Sequence, residues 1–136
     1  VPEAIRASDA LKIYICNIMT QDGETEGYTV ADHLSALFAH GGTGLVDVCL
    51  ANSAPVRPVL LERYREEDAA PIVVDRDRVE AMGVELVERP LSSETSDYAR
   101  HSAARLAAAV MELHQERAMR LAPELGAEET PYIIEE

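Results

Sequence analysis

Apolar residues gather in four short runs along the chain: KIYICNI (12–18), VDVCLAN (46–52), PIVVD (71–75) and VELVERPL (84–91). The first three are nearly unbroken, the pattern of strands covered on both faces. Between the runs, apolar positions recur at helical spacing. Val30, Leu34, Leu37 and Phe38 share one face, and Thr29 with Asp32 three residues on forms a capping-box pattern at that helix's start. Pro58 stands near the start of a second helix with Leu60, Leu61 and Tyr64 on one side, and Asp75 and Gly83 bracket a short one holding Val79 and Met82. Ser102 opens a long helix whose buried stripe is Ala103, Leu106, Val110 and Leu113. Strands alternating with helices predict an α/β fold on a mostly parallel sheet.

The two ends read differently. VPEAIRASDA sets Val1 and Ile5 one helical turn apart, as if the chain began inside a helix whose preceding strand lies elsewhere. Residues 1–120 are therefore expected to be the carboxyl-terminal part of a larger domain. From Leu121 onward, LAPELGAEETPYIIEE mixes Pro, Gly and acids without period, which predicts an acidic, loosely held tail over 121–136 with Tyr132, Ile133 and Ile134 free to dock.

Charge narrows the partners. A net charge of −13 repels phosphate backbones and anionic lipid, and the stretches ERYREED and DRDRVE alternate their signs like solvated helix faces. Nucleic acid is excluded as a partner. Cys16 and Cys49 each sit within an apolar run and read as buried, reduced thiols. No stretch is apolar for long enough to span a bilayer, and the amino end has no secretion-signal pattern, so the cytoplasm is the expected compartment.

In an open parallel sheet, ligands bind where loops leave the carboxyl ends of the strands. Three polar segments fall there: NIMTQDGETEGYT, ANSAPV and SSETSDYARH. The first offers Asn17, Thr20, Gln21, Glu24, Thr25 and Tyr28, a set suited to sugar hydroxyls or a base edge, and Asn52 extends it from the next strand. Arg100 and His101 supply the cation that this set lacks, since a guanidinium grips phosphate in bidentate fashion. A plainer alternative stands beside this: Asn17 and Asn52 satisfy strand ends, Thr29 and Asp32 cap a helix, and the loop is solvated. HGGTGLVDV resembles a phosphate loop only in composition, because its glycines run helix, glycine, strand and so mark a helix carboxyl cap. His33, His40, His101 and His114 show no metal-ligand spacing, and no nucleophile-elbow sequence is present.

KIYICNIMTQDGETEGYTVADHLSAL, followed by VDVCLANSAPV, LLERYREEDAAPIVVD and YARH, resembles the carboxyl-terminal portion of the YvcK group of gluconeogenesis factors in the CofD-like superfamily. The likeness runs from about Leu11 to about Leu113 and covers under half of a full-length member. It implies a Rossmann-like, three-layer α/β protein that binds a nucleotide sugar, UDP-N-acetylglucosamine, and acts on gluconeogenic growth, cell shape and wall synthesis. By the same resemblance Tyr64 and Arg100 match residues tied to nucleotide-sugar binding. The CofD branch implies the alternative of a transferase that moves a phospholactyl group from a nucleotide-activated donor to a deazaflavin, and magnesium enters only there. Asp22 stands where the family usually has Pro, and Ser102 where it usually has an acid. The family's glycine-rich amino-terminal phosphate loop is not in this sequence, which predicts weak binding by this piece alone and self-association, or pairing with an amino-terminal part, through an open apolar sheet edge. A free-standing interaction module without a ligand site is the third reading.

Overall fold

The computed structural model describes residues 2–93, 98–125 and 132–135. In chain order these form α1 (Pro2–Ala7), β1 (Lys12–Ile15), α2 (Val30–Gly41), β2 (Val48–Asn52), α3 (Pro58–Glu66), α4 (Arg76–Ala81), β3 (Glu85–Arg89), α5 (Ala103–Leu125) and β4 (Tyr132–Glu135). The strands make one sheet in the order β3-β2-β1-β4, and every neighbouring pair is parallel.

The unbroken apolar runs have the expected cause. Side chains alternate between faces along a strand, so Tyr14, Cys16, Cys49, Ala51 and Leu86 point to one face, where α1, α2 and α4 cover them through Ile5, Leu34, Phe38 and Val79. Ile13, Ile15, Val48 and Leu50 point to the other, under Ala109, Val110 and Leu113 of α5. This is a three-layer α/β fold with a core on each side of the sheet. Ala103, expected on the buried stripe of α5, faces solvent, because the stripe engages the sheet only from Leu106 onward.

Local signals at the helix ends hold. Thr29 and Asp32 make a full capping box at α2, each side chain meeting the other residue's backbone N–H. Pro58 is the first residue of α3, and the Ser102 hydroxyl accepts from Arg105 N–H at 3.3 Å to cap α5. The glycine run closes α2: Gly42 takes φ +89° and donates to the Phe38 carbonyl at 2.7 Å. The Arg6 guanidinium of α1 donates to the adjacent Gly41 carbonyl, setting a cation on the negative end of α2.

Two elements depart from expectation. PIVVD is not a strand: Pro71 makes one isolated antiparallel bridge to Met19, and residues 72–75 join no ladder. Its polar groups go elsewhere, Ile72 N–H to the Ile18 carbonyl at 2.9 Å and the Val73 carbonyl to Val30 N–H at 3.0 Å. The run is apolar because Ile72 and Val74 pack on the core as a strap across the start of α2. The second is β4, which lies inside the stretch read as an aperiodic tail and pairs with β1 from Lys12↔Tyr132 to Ile15↔Glu135. The side of β1 away from β2 thus carries a strand of this chain. Of the same stretch, residues 126–131 and 136 lie outside the described residues. At the opposite edge, Arg76 of α4 donates to the Leu86 carbonyl at 3.2 Å and pairs with Glu88 at 3.0 Å, placing a charge across β3.

Candidate functional site

Because β1, β2 and β3 are parallel, the segments that follow them leave from one sheet edge. A cavity of about 280 Å³ opens there, with walls from the end of β1, the end of β2, α3 and the 71–74 strap. Its lining is mainly apolar, with Ile18, Val56, Leu61 and Val74 among the walls, and the polar residues among its walls are Asn17 and Asn52.

These two carboxamides are not equivalent. Asn52 Oδ1 accepts from the N–H groups of Ala54 at 3.1 Å, Leu91 at 2.9 Å and Ser92 at 3.1 Å, while its Nδ2 donates to the Ala54 carbonyl at 2.8 Å. Asn52 is therefore the staple that joins the loop after β2 to the loop after β3. Asn17 is half-buried, and no described residue takes its carboxamide.

The loop after β1 divides into internally bonded and exposed groups. Thr20 is buried, with its hydroxyl accepting from Ala70 N–H at 3.0 Å and its own N–H donating to the Ala70 carbonyl at 2.8 Å. The Thr25 hydroxyl accepts from Gln21 N–H at 2.8 Å and closes a tight turn. Gln21 and Glu24 project from that turn into solvent. Tyr28 meets the His33 ring in a T-shaped pair, with centroids 5.4 Å apart, and leaves 37% of its surface exposed. Of the six residues expected from this loop, Asn17 alone lines the cavity.

The start of α2 is occupied by the protein itself. Val30 N–H goes to Val73, Ala31 N–H to Asp75 Oδ1 at 3.0 Å, and Asp32 N–H to Thr29 Oγ1 at 3.3 Å. Asp75 also accepts from the Thr29 hydroxyl at 2.7 Å. Two carboxylates therefore sit on the positive end of α2, and Arg78 answers them with pairs of 3.0 Å to each. The Thr29 backbone N–H, and next the Arg78 guanidinium, hold Asp32 below its ordinary range. Asp32 in turn holds Arg78 above its own. Asp75 reads in sequence as the bracket of α4, yet it makes no side-chain cap there. Its carboxylate caps α2 instead, 44 residues away. The acid at the end of an apolar run was the one available signal, and nothing local says which helix it serves.

The start of α5 has the opposite character. No acid lies in its first turn, and Arg100 and His101 precede it. Ser93 N–H donates to the Arg100 carbonyl at 2.9 Å, and Ser92 bridges to His101, so the loop after β3 folds back on itself beside Asn52. Tyr64 completes the frame from α3, where its hydroxyl accepts from Ala99 N–H at 3.1 Å. Tyr64 and Arg100, far apart in sequence, are thus brought together through Ala99, and the Arg100 side chain is exposed. His101 is half-buried against Ser92.

Parallel strands covered on both faces, with polar loops gathered at their carboxyl edge, define a Rossmann-like α/β protein. The chain belongs to the CofD family, described as 2-phospho-L-lactate transferase CofD, which it matches over residues 1–92. It is 42% identical over 110 residues to a gluconeogenesis factor of Halalkalibacterium halodurans, covering 81% of this chain and 34% of that protein. It is 36% identical over 116 residues to the gluconeogenesis factor of Bacillus subtilis, covering 85% and 37%. A crystal structure of a UPF0052 family member from Bacillus halodurans superposes with a TM-score of 0.77 at 41% identity, over 81% of this chain and 35% of that one. The chain spans about a third of the length of the curated relatives it matches. Among the described residues, no helix is long and apolar enough to cross a membrane.

Proposed function

We propose that this chain contributes one wall of a nucleotide-sugar site, with UDP-N-acetylglucosamine as the ligand, in a cytoplasmic regulator of gluconeogenic growth, cell shape and wall synthesis. The observation that carries the reading is the pairing, at one sheet edge, of a cavity bearing the Asn17 carboxamide with a framed loop presenting Arg100. The cavity supplies apolar contact and a donor–acceptor group, and the guanidinium supplies the phosphate grip. In this reading Tyr64 holds the Arg100 loop, Gln21, Glu24 and Tyr28 form the outer rim, and His101 backs the loop. The relatives' greater length leaves room for further ligand contacts from outside this chain, through self-association or an amino-terminal part.

Calorimetric titration of UDP-N-acetylglucosamine into the full-length protein tests the reading. One saturable site is expected, weakened about 10- to 100-fold by Arg100→Ala, the range for losing a hydrogen bond to a charged group. Absence of saturable binding, or binding indifferent to Arg100→Ala and Tyr64→Ala, would overturn it.

The family match itself favours a second reading, a transferase moving a phospholactyl group from a nucleotide-activated donor to a deazaflavin. Among the described residues no group of three His, Cys, Asp or Glu side chains is placed to hold an ion. Donor turnover that depends on the deazaflavin would establish this reading, and tight binding without turnover would remove it.

A further inference from the structure

The carboxyl edge offers a ligand two unlike environments, and their chemistry orients the ligand. The cavity is small: about 280 Å³, just under the range of roughly 300–1,000 Å³ that encloses a whole drug-sized molecule. A nucleotide sugar does not fit inside it, but one ring does. Resting on the nucleotide-sugar reading above, we infer that the cavity between β1, β2, α3 and the 71–74 strap is a nucleobase pocket, with the phosphates directed away from α2 toward Arg100.

Three observations select the base over the phosphate and the sugar. First, the neighbouring helix start, where a phosphate would otherwise sit, is closed: Val73, Asp75 and Thr29 take the first amides of α2. Asp32 and Asp75 give that corner two carboxylates against one guanidinium, so a phosphate placed there would meet repulsion and no free donor. Second, the lining is apolar except for two carboxamides, and Asn52 has its oxygen fully engaged. A hexose carries hydroxyls around its rim and would bury several of them unsatisfied here, whereas a base presents apolar faces and a polar edge. Third, the Asn17 carboxamide sets an NH2 donor group beside a carbonyl acceptor, which matches the donor–acceptor edge of a nucleobase. The route onward is set by Asn52, whose oxygen holds Ser92; Ser93 N–H donates to the Arg100 carbonyl, so Arg100 stands on the loop that Asn52 ties to the cavity wall.

The test separates the two ends of the ligand. Uridine, UDP, N-acetylglucosamine 1-phosphate and UDP-N-acetylglucosamine are each titrated into the protein, with saturation-transfer NMR for the weak ligands. Ala54→Leu fills the cavity from a half-exposed loop position, and Val56→Phe does so independently should the first variant fold poorly. The pocket assignment predicts that filling the cavity weakens uridine, UDP and UDP-N-acetylglucosamine by a common factor of at least about tenfold. It also predicts no change for N-acetylglucosamine 1-phosphate, while Arg100→Ala spares uridine and weakens UDP. Weakening of the sugar phosphate instead of uridine would overturn the assignment, as would uridine binding unchanged in both folded variants or no uridine binding at all. Uridine binding lost on filling the cavity, with UDP-N-acetylglucosamine no tighter than uridine, would keep the base pocket and remove the nucleotide-sugar reading.

Discussion

Two helices begin at the same edge of this sheet and differ in what their first amides meet. The start of α2 is acidic and internally satisfied, its amides shared among Val73, Asp75 and its own capping box. The start of α5 has no acid in its first turn and a serine cap, with Arg100 and His101 leading into it. Among the described residues nothing takes the N–H groups of Ala103 and Ala104. Helix polarity alone would make both starts attractive to anions. What decides between them is which backbone donors the protein has already consumed. A strap carrying a carboxylate turns α2 into scaffold, and among the described residues no such strap crosses the start of α5.

The comparison can be broken at several points. The largest effect is expected for Asn52→Ala, which strips a common acceptor from Leu91 and Ser92 and lets the α5 side drift from the cavity. Leaving buried donors unsatisfied costs about 1–3 kcal/mol each, so a loss near 3 kcal/mol in urea denaturation is expected. Asp75→Ala comes next at about 2 kcal/mol, since it orphans Ala31 N–H and the Thr29 hydroxyl together. Ser102→Ala removes a single cap bond and is expected to cost about 1 kcal/mol. A cost for Asp75→Ala no larger than for Ser102→Ala would contradict the view that α2 is held by an added clamp.

The smallest effect is a pH dependence. Asp32 has its folded value lowered from 3.8 by the Thr29 N–H and Arg78. A lowered folded value means that the contribution is present above the unfolded value and disappears as pH falls through the folded one. Asp32→Ala should therefore lower stability at neutral pH by less than about 1 kcal/mol, given its exposure. The gap between variant and parent should close as the solution is taken below the ordinary carboxylate range. A gap that persists in acid would show that Asp32 acts through packing rather than charge.

Much of the scaffold was legible because its signals are local. Capping at Thr29 and Ser102, the proline opening α3 and the glycine closing α2 each depend on residues a few positions apart. The runs at 12–18, 46–52 and 84–91 read as strands because burial on both faces leaves an unbroken apolar pattern. PIVVD carries the same pattern for another reason: one face packs on the core while its N–H and C=O groups serve a loop and a helix start. Periodicity reports burial and is silent on the hydrogen-bond partner. Tyr132–Glu135 was hidden for the converse reason, since four residues beside β1 are too few to show a period. At the site, residue types marked Thr20 and Thr25 as ligand groups but could not show that each hydroxyl also accepts a backbone N–H that fixes the loop. Asp75 was invisible as part of the edge because its partner helix begins 44 residues earlier.

Backbone amide shifts measured by NMR during titration with UDP-N-acetylglucosamine test the central claim most directly. The claim is that the ligand spans from the cavity to the Arg100 loop and leaves the start of α2 alone. The expected perturbations concentrate at Asn17, Asn52, Ala54, Arg100 and the first residues of α5, with Val30 and Ala31 unmoved. Largest shifts at Val30 and Ala31, with Arg100 and Ala103 silent, would contradict it.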